Sequence, residues 1–494
     1  MSEPQTSGAW RVVWYAVWSA MLVVSAGNTL LYSAATPGRG GLIASGLLAA
    51  MAGVLLLRGG KTPRREAALS WVLLVVFCMA QLVTFARGLA APPVKRGVDF
   101  SAYYLAGKVI SEKPAQSLYD LPMFADGRMN LNTEDADSSR WHAEAVRYGV
   151  PYWAPYIYPP FFAVIMQPLA RLSFATAYLV WTAVTVLAVV GGLLLTLSVA
   201  GVRVGSRLAL VLGVGLFSYY PLFDNLFFGQ ISGVILLLFA ACLWLLKRER
   251  VWMSALCLAV ATSIKLTPVL VVPVLIFHRR WKWLAAYALW MLALLGLSVG
   301  QAGWAAHAEF LHKALPSMSC GSPVCQNASV VAWVQEIFMG HVPVSKHPPL
   351  TIPAYACAVS RYVAFAVYCL MLVRFYLRRR DGLLVRDIVI MVLLGIVLSP
   401  ISWLHHLTLA LLGFVYLWGT MPEKGNRTLT ALFLVVATNV VGLTQLLAVN
   451  HVAQLTLAAI LPGLTIALAY RSLAPGQEAS TGGTRTMTEA AQGA

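Results

Sequence analysis

"FATAYLVWTAVTVLAVVGGLLLTLSVA" (174–200) runs from Phe174 to Ala200 without a single charged residue. As a helix rising about 1.5 Å per residue it is long enough to cross a hydrocarbon core of roughly 30 Å. Working outward from it, comparable apolar segments recur near 12–35, 41–58, 69–90, 207–223, 229–246, 284–303, 352–376, 387–400, 405–420, 428–446 and 452–470. None shows the period-two alternation of a membrane barrel strand. The reading is an all-α polytopic membrane protein with about 12 transmembrane helices. Composition agrees: 59% of the 494 residues are hydrophobic and 11% charged, against roughly 25% charged in a soluble domain.

The formal net charge of +17 does not indicate nucleic acid. The basic residues sit at the ends of the apolar segments, where Lys and Arg are retained in the cytoplasm. "RGGKTPRRE" (58–66), "GVRVGSR" (201–207), "KRER" (247–250), "HRRWKW" (278–283), "RFYLRRRDGLLVR" (374–386) and "EKGNR" (423–427) are therefore placed inside, together with both termini. Two long polar stretches, 91–157 and 304–351, then face outward. This parity requires 157–172 to be a short helix that does not cross, and 253–277 to be a re-entrant pair turning at "KLTP" (265–268). The alternative for the latter is a single tilted helix kinked at Pro268. Irregular backbone at membrane depth must line a wet cavity or lie buried in protein.

The organisation read from this pattern is an N-terminal transmembrane hairpin (1–68), a core (69–420), a C-terminal hairpin (421–471) and a small, polar, disordered tail (472–494). The first helix is read as a retained anchor rather than a cleaved signal. Five cysteines (Cys78, Cys242, Cys257, Cys357 and Cys369) fall in apolar helices, where they read as packing. Cys320 and Cys325 flank "GSPV" in the second outer loop, and they are the expected disulfide.

Among the acids of the outer side, only Asp99 and Asp224 lie beside a predicted helix end. A carboxylate at the rim of an apolar cavity is partly desolvated, which raises its pKa and improves it as a proton acceptor. For Asp99 the competing reading is a helix N-cap. Lys265, inside "ATSIKLTPVLVVPVLIF" (261–277), and Arg361, inside "YACAVSRYVAFAVYCL" (355–370), place cations within apolar runs. Each either meets an anion, snorkels, or bonds a carbonyl. "SPISWLHHL" (399–407) sets Trp403, His405 and His406 at an outer turn, where neighbouring histidines point in different directions. "DAD" (135–137) reads as a solvated loop, and "NAS" (327–329) is formally a glycosylation acceptor.

These residues, taken in order, resemble glycosyltransferase family 87. The resemblance is carried by "DFSAYYLAGKVI" (99–110), "SLYD" (117–120), "YIYPPFFAVIMQPLARL" (156–172), "FFGQISGVILLL" (227–238), "ATSIKLTPVLVVPVLIFHRRW" (261–281), "NASV" (327–330) and "SPISWLHHL", and it covers roughly 69–420. It implies a GT-C-like fold and the use of a sugar carried on polyprenyl phosphate, most simply mannose, at the outer face. It also implies that Asp99 is the first-loop catalytic acid.

On that basis the expected chemistry is an inverting transfer. Asp99 takes the proton of an acceptor hydroxyl as it attacks the anomeric carbon. Lys265, with His405 or His406 and Arg361, meets the charge on the departing lipid phosphate. Tyr103, Tyr104, Tyr158, Gln230, Asn327, Ser329 and Trp403 are the expected sugar or acceptor contacts. The expected partners are the lipid-phosphate donor, a lipid or glycan acceptor and the bilayer, with no metal and no cofactor. The rival readings are a transporter or lipid-linked-glycan flippase, and an oligosaccharide ligase that would take a diphosphate donor.

Overall fold

The computed structural model describes residues 97–112, 117–119, 140–151, 153–202, 219–321, 323, 327–339, 352–378 and 383–420. The expected hairpins at 1–68 and 421–471, the span at 69–90 and the tail lie outside these residues. Within them the chain is helical, its one β feature among the described residues being an isolated antiparallel bridge between Asn327 and Trp403.

Helix α1 (Val98–Glu112) and α2 (Arg140–Arg147) precede α3 (Pro160–Ala170). At 11 residues, α3 is too short to cross the roughly 30 Å core, as the sidedness argument required. Helix α4 (Phe174–Ala200) starts where Ser173 accepts from the Thr176 amide and stops at Gly201, whose φ of 73° is left-handed. Its exposed face is apolar, with Leu179 at 70% and Leu187 at 71% exposure. A soluble protein would not leave such a row to water; here the row meets lipid.

After α4 come α5 (Tyr220–Phe228) and α6 (Ser232–Lys247), bent against each other by 117°. The elbow is Gly229, with φ of 73° and an absent Cβ that would stand 2.6 Å from Phe100 Cβ. The carbonyls left at the end of α5 are capped from α4: Tyr178 donates to Leu226 O at 2.8 Å and Trp181 Nε1 to Gly229 O at 2.7 Å.

Helix α7 (Val251–Ile264) breaks at Lys265, whose backbone is extended, and the chain resumes as a 3₁₀ turn (Thr267–Val271) and α8 (Val272–Phe277). Pro268 cannot donate the amide that α7 would need to continue. Just past the second leg Trp283 Nε1 donates at 2.9 Å to Ser254 Oγ, near the start of α7, so the second leg returns toward the end where α7 began. Going down the second leg, Tyr368 donates to Leu270 O at 3.2 Å, the Phe277 and Tyr376 rings lie 5.5 Å apart, and His278 Nε2 lies 2.9 Å from Asp387 Oδ2. Lys265 stands at the turn between the two legs.

Helix α9 (Trp281–Glu309) continues through a π turn (Phe310–Ala314) into α10 (Leu315–Ser319) and is kinked at Gly303. Then come α11 (Val330–Met339), α12 (Ala354–Arg378), α13 (Leu384–Leu398), a 3₁₀ turn (Leu404–Leu409) and α14 (Ala410–Thr420). Among the described residues, three helices are long and apolar enough to span a membrane, or four with the bent α5–α6 pair. The count of about 12 extends into residues outside the described set.

The expected Cys320–Cys325 pairing is corrected. Cys320 is bonded to Cys357, 37 positions on, with Cα atoms 5.2 Å apart. Cys325 lies outside the described residues. Cys357, read from its apolar helix as packing, lies in the first turn of α12 and meets the end of α10, so the bond ties α10 to α12 rather than closing a small ring.

Candidate active site

Asp99 stands in the first turn of α1, and its carboxyl turns across the fold rather than onto its own helix. Gln230 Nε2 donates to Asp99 Oδ2 at 2.7 Å. The N-cap reading is thereby set aside: among the described residues Asp99 bonds no amide of α1. Gln230 directly follows the Gly229 elbow, so the bend between α5 and α6 is what brings its amide to α1.

The other end of that amide is held. The Tyr103 hydroxyl lies 3.0 Å and the Tyr158 hydroxyl 3.2 Å from Gln230 Oε1, and the two hydroxyls are 2.9 Å apart. Burial pushes both phenols above their usual range, so they stay protonated and donate. Because Oε1 accepts from hydroxyls, Nε2 must face Asp99. The expected sugar contacts Tyr103, Tyr158 and Gln230 thus satisfy one another and orient the carboxylate. Tyr104 likewise is committed elsewhere, donating to Leu172 O at 2.8 Å.

Burial raises the Asp99 carboxyl above the ordinary carboxylate range. The Gln230 hydrogen bond, Lys265 and, when it is protonated, His405 pull it down, while Asp224 pushes it up. These groups are therefore electrostatic neighbours, although they come from α1, α5, the start of α6, the turn after α7 and the 3₁₀ turn before α14.

Beside them a small cleft has a polar set, Lys265, Thr267, Ser402 and His406, and an apolar wall that includes Phe239, Met391 and Ile396. Among the described residues the Lys265 ammonium has no hydrogen bond or ion pair. Ser402 is fully buried and its hydroxyl has no partner among the described residues. Ammonium, hydroxyl and imidazole against a hydrocarbon wall suit an anionic head on an apolar chain.

The two adjacent histidines separate. His406 lines the cleft, while His405 turns to Asp224, its Nδ1 3.2 Å from Asp224 Oδ2. Their rings are perpendicular, with centroids 4.6 Å apart.

Other expected contacts serve as a clasp. Asn327 Nδ2 donates to Pro400 O at 2.9 Å, the Ser402 amide donates to Asn327 Oδ1 at 2.8 Å, and the Ala328 amide donates to Ser402 O at 2.8 Å. Ser329 Oγ accepts from the Ala332 amide at 3.0 Å, capping α11. Asn327 and Ser329 hold the "SPIS" segment in place, and Trp403 is bridged by the same clasp. A buried Asn327 with both amide atoms engaged is not a glycosylation acceptor in the folded chain. Arg361 is not part of the cleft wall; it is exposed on α12 and donates to Ser319 Oγ at 3.1 Å.

Sequence reasoning missed Ser402 and left Asp224 without a role. Ser402 had a signal in its position between Pro400 and His405; nothing in sequence spacing pairs Asp224 with His405 across 181 residues.

The profile of glycosyltransferase family 87 matches residues 156–400. The chain is 30% identical over 257 residues to a polyprenol-phosphate-mannose-dependent alpha-(1-2)-phosphatidylinositol pentamannoside mannosyltransferase of Mycobacterium tuberculosis (strain CDC 1551 / Oshkosh), covering 51% of this chain and 56% of that protein. It is 29% identical over 256 residues to the protein of the same description from Mycolicibacterium smegmatis (strain ATCC 700084 / mc(2)155), covering 51% and 58%. The chain thus spans little more than half the length of these curated relatives.

Proposed function

The chain belongs to glycosyltransferase family 87, and on that premise we propose that it is an inverting membrane glycosyltransferase moving one mannose from polyprenyl phosphate to a lipid or glycan acceptor at the outer face. The observation that carries this reading is the Asp99 carboxylate, oriented by Gln230 and electrostatically coupled to a lysine that lines an amphipathic cleft.

In the reaction, the acceptor oxygen forms a bond to the anomeric carbon while the bond from that carbon to the phosphate oxygen breaks. Asp99 takes the hydroxyl proton. The electron pair leaves with the phosphate, whose added charge is met by the Lys265 ammonium, the Ser402 hydroxyl and His406. Donors fixed beforehand in a site of low dielectric stabilise developing charge far better than water does. The apolar wall of the cleft takes the first part of the lipid chain. The two mycobacterial relatives are phosphatidylinositol pentamannoside mannosyltransferases by description, which makes a phosphatidylinositol mannoside the acceptor to try first.

The test is incubation of the purified protein with labelled polyprenyl-phosphate mannose and a series of lipid acceptors, with products identified by mass spectrometry. A product heavier by one mannosyl unit supports the reading. Transfer only from an oligosaccharide-diphosphate donor, or none from any donor, contradicts it.

A further inference from the structure

Asp224 and His405 form a buried couple that the transfer step above does not use. Asp224 is 8% exposed and His405 5%, and Oδ2 lies 3.2 Å from Nδ1. Their register is fixed on both sides by neutral hydrogen bonds between the same two elements. Thr408 Oγ1 donates to Pro221 O at 2.9 Å, and Tyr219 donates to Leu407 O at 2.7 Å.

The second ring nitrogen, His405 Nε2, is buried and has no hydrogen-bond partner among the described residues. A histidine held only for packing is ordinarily bonded at both nitrogens or left partly in water. This one is bonded at one and unpartnered at the other among the described residues, in a ring that neighbours the proposed base. The groups around it are Asp224 from α5, Asp99 from α1, His406 next in the chain and the edge of Phe228; Lys265 in turn neighbours Asp99 and His406.

We infer that Asp224 is a positioning residue: it accepts the Nδ1 proton of His405, fixes the ring and keeps Nε2 as the lone-pair nitrogen, a hydrogen-bond acceptor for a substrate hydroxyl beside Asp99. A carboxylate can only accept from Nδ1–H, and an imidazole with its proton on Nδ1 carries the lone pair on Nε2. The adjacent histidines then divide the substrates between them. His406 faces the cleft for the anionic head, and His405 serves a hydroxyl of the sugar or the acceptor. This inference rests on the transfer reaction proposed above, which supplies the hydroxyl.

The test uses full-length protein in detergent with ¹⁵N-labelled histidine, the His405 resonances being those lost in His405→Gln. The wild-type protein is expected to show a protonated Nδ1 and a lone-pair Nε2. Asp224→Asn has the same shape but donates its amide proton, and it should move the proton to Nε2 and lower kcat for mannosyl transfer by about 100-fold or more. Asp224→Glu should restore the wild-type tautomer and part of the rate, which also covers an Asn variant that fails to fold. A wild-type His405 protonated at Nε2, or an Asp224→Asn protein with unchanged tautomer and unchanged kcat, would overturn the inference. The tautomer is read without substrate. Absence of transfer by the wild-type protein would therefore count against the glycosyltransferase reading, while the resonances still decide the Asp224–His405 pair.

Discussion

Gln230 donates to Asp99 at 2.7 Å through one end of its amide and accepts from Tyr103 and Tyr158 through the other. The tyrosine hydroxyls decide which way the amide points. Without them it is free to flip and set its carbonyl oxygen against the carboxylate. The double variant Tyr103→Phe, Tyr158→Phe is expected to lower kcat about 10-fold or more, on the scale of one hydrogen bond to a charged group, roughly 1.5–3 kcal/mol. Steady-state kinetics beside a thermal melt separates this from a loss of fold.

The pH dependence follows from the same geometry. Burial holds the Asp99 carboxyl above the usual range, and a general base works only when deprotonated. Activity should therefore fall, as pH drops, at a pH above that at which an exposed carboxylate would titrate. Gln230 stabilises the charged form, so Gln230→Ala should move this acid limb further toward high pH. A profile of kcat/KM against pH for the two proteins checks the direction; a limb that moves toward low pH would contradict it.

The cleft makes a separate prediction. Lys265→Ala removes its only lysine and should lower kcat on the order of 10²- to 10³-fold, the usual effect of deleting a preorganised donor to a developing anion. Ser402→Ala should give a smaller loss in the same parameter, since a neutral hydroxyl is the weaker donor. Single-turnover kinetics with preloaded donor isolates the step. Unchanged single-turnover rates in both variants would remove the cleft from the reaction.

Asn327 and the Cys320–Cys357 bond are expected to act on stability. Asn327→Ala strands the buried Ser402 amide, at about 1–3 kcal/mol for an unsatisfied group, and leaves Pro400 O to the longer Ser329 Oγ contact. Cys357→Ser opens a link across 37 positions, a change of about 3–4 kcal/mol by chain entropy. Both should lower the melting temperature in detergent, measured by intrinsic tryptophan fluorescence.

Much of this was legible before any coordinates. The charge-free run at 174–200, the length of 157–172 and the lysine–proline break at 265–268 are local signals, and local signals survive folding. Asp99 and Lys265 draw notice in the sequence because a charge beside or within an apolar segment is costly enough to need a reason, and the role of Asp99 as base comes from the family resemblance. What sequence could not supply was pairing at long range. The roles of Tyr103 and Tyr158 depend on where the Gly229 elbow delivers Gln230. The partner of Cys320 proved to be a cysteine that looked like ordinary helix packing, and Asn327 looked like a sugar contact because polar residues in an outer loop seldom reveal that they are already paired.

The measurement closest to the central claim is mannosyl transfer by purified Asp99→Asn protein, made beside a direct measurement of its binding of polyprenyl-phosphate mannose. The account predicts donor binding near that of the wild-type protein and a transfer rate lower by roughly 10²–10⁴-fold, the share a positioned base supplies. Transfer at the wild-type rate with the donor bound would contradict it.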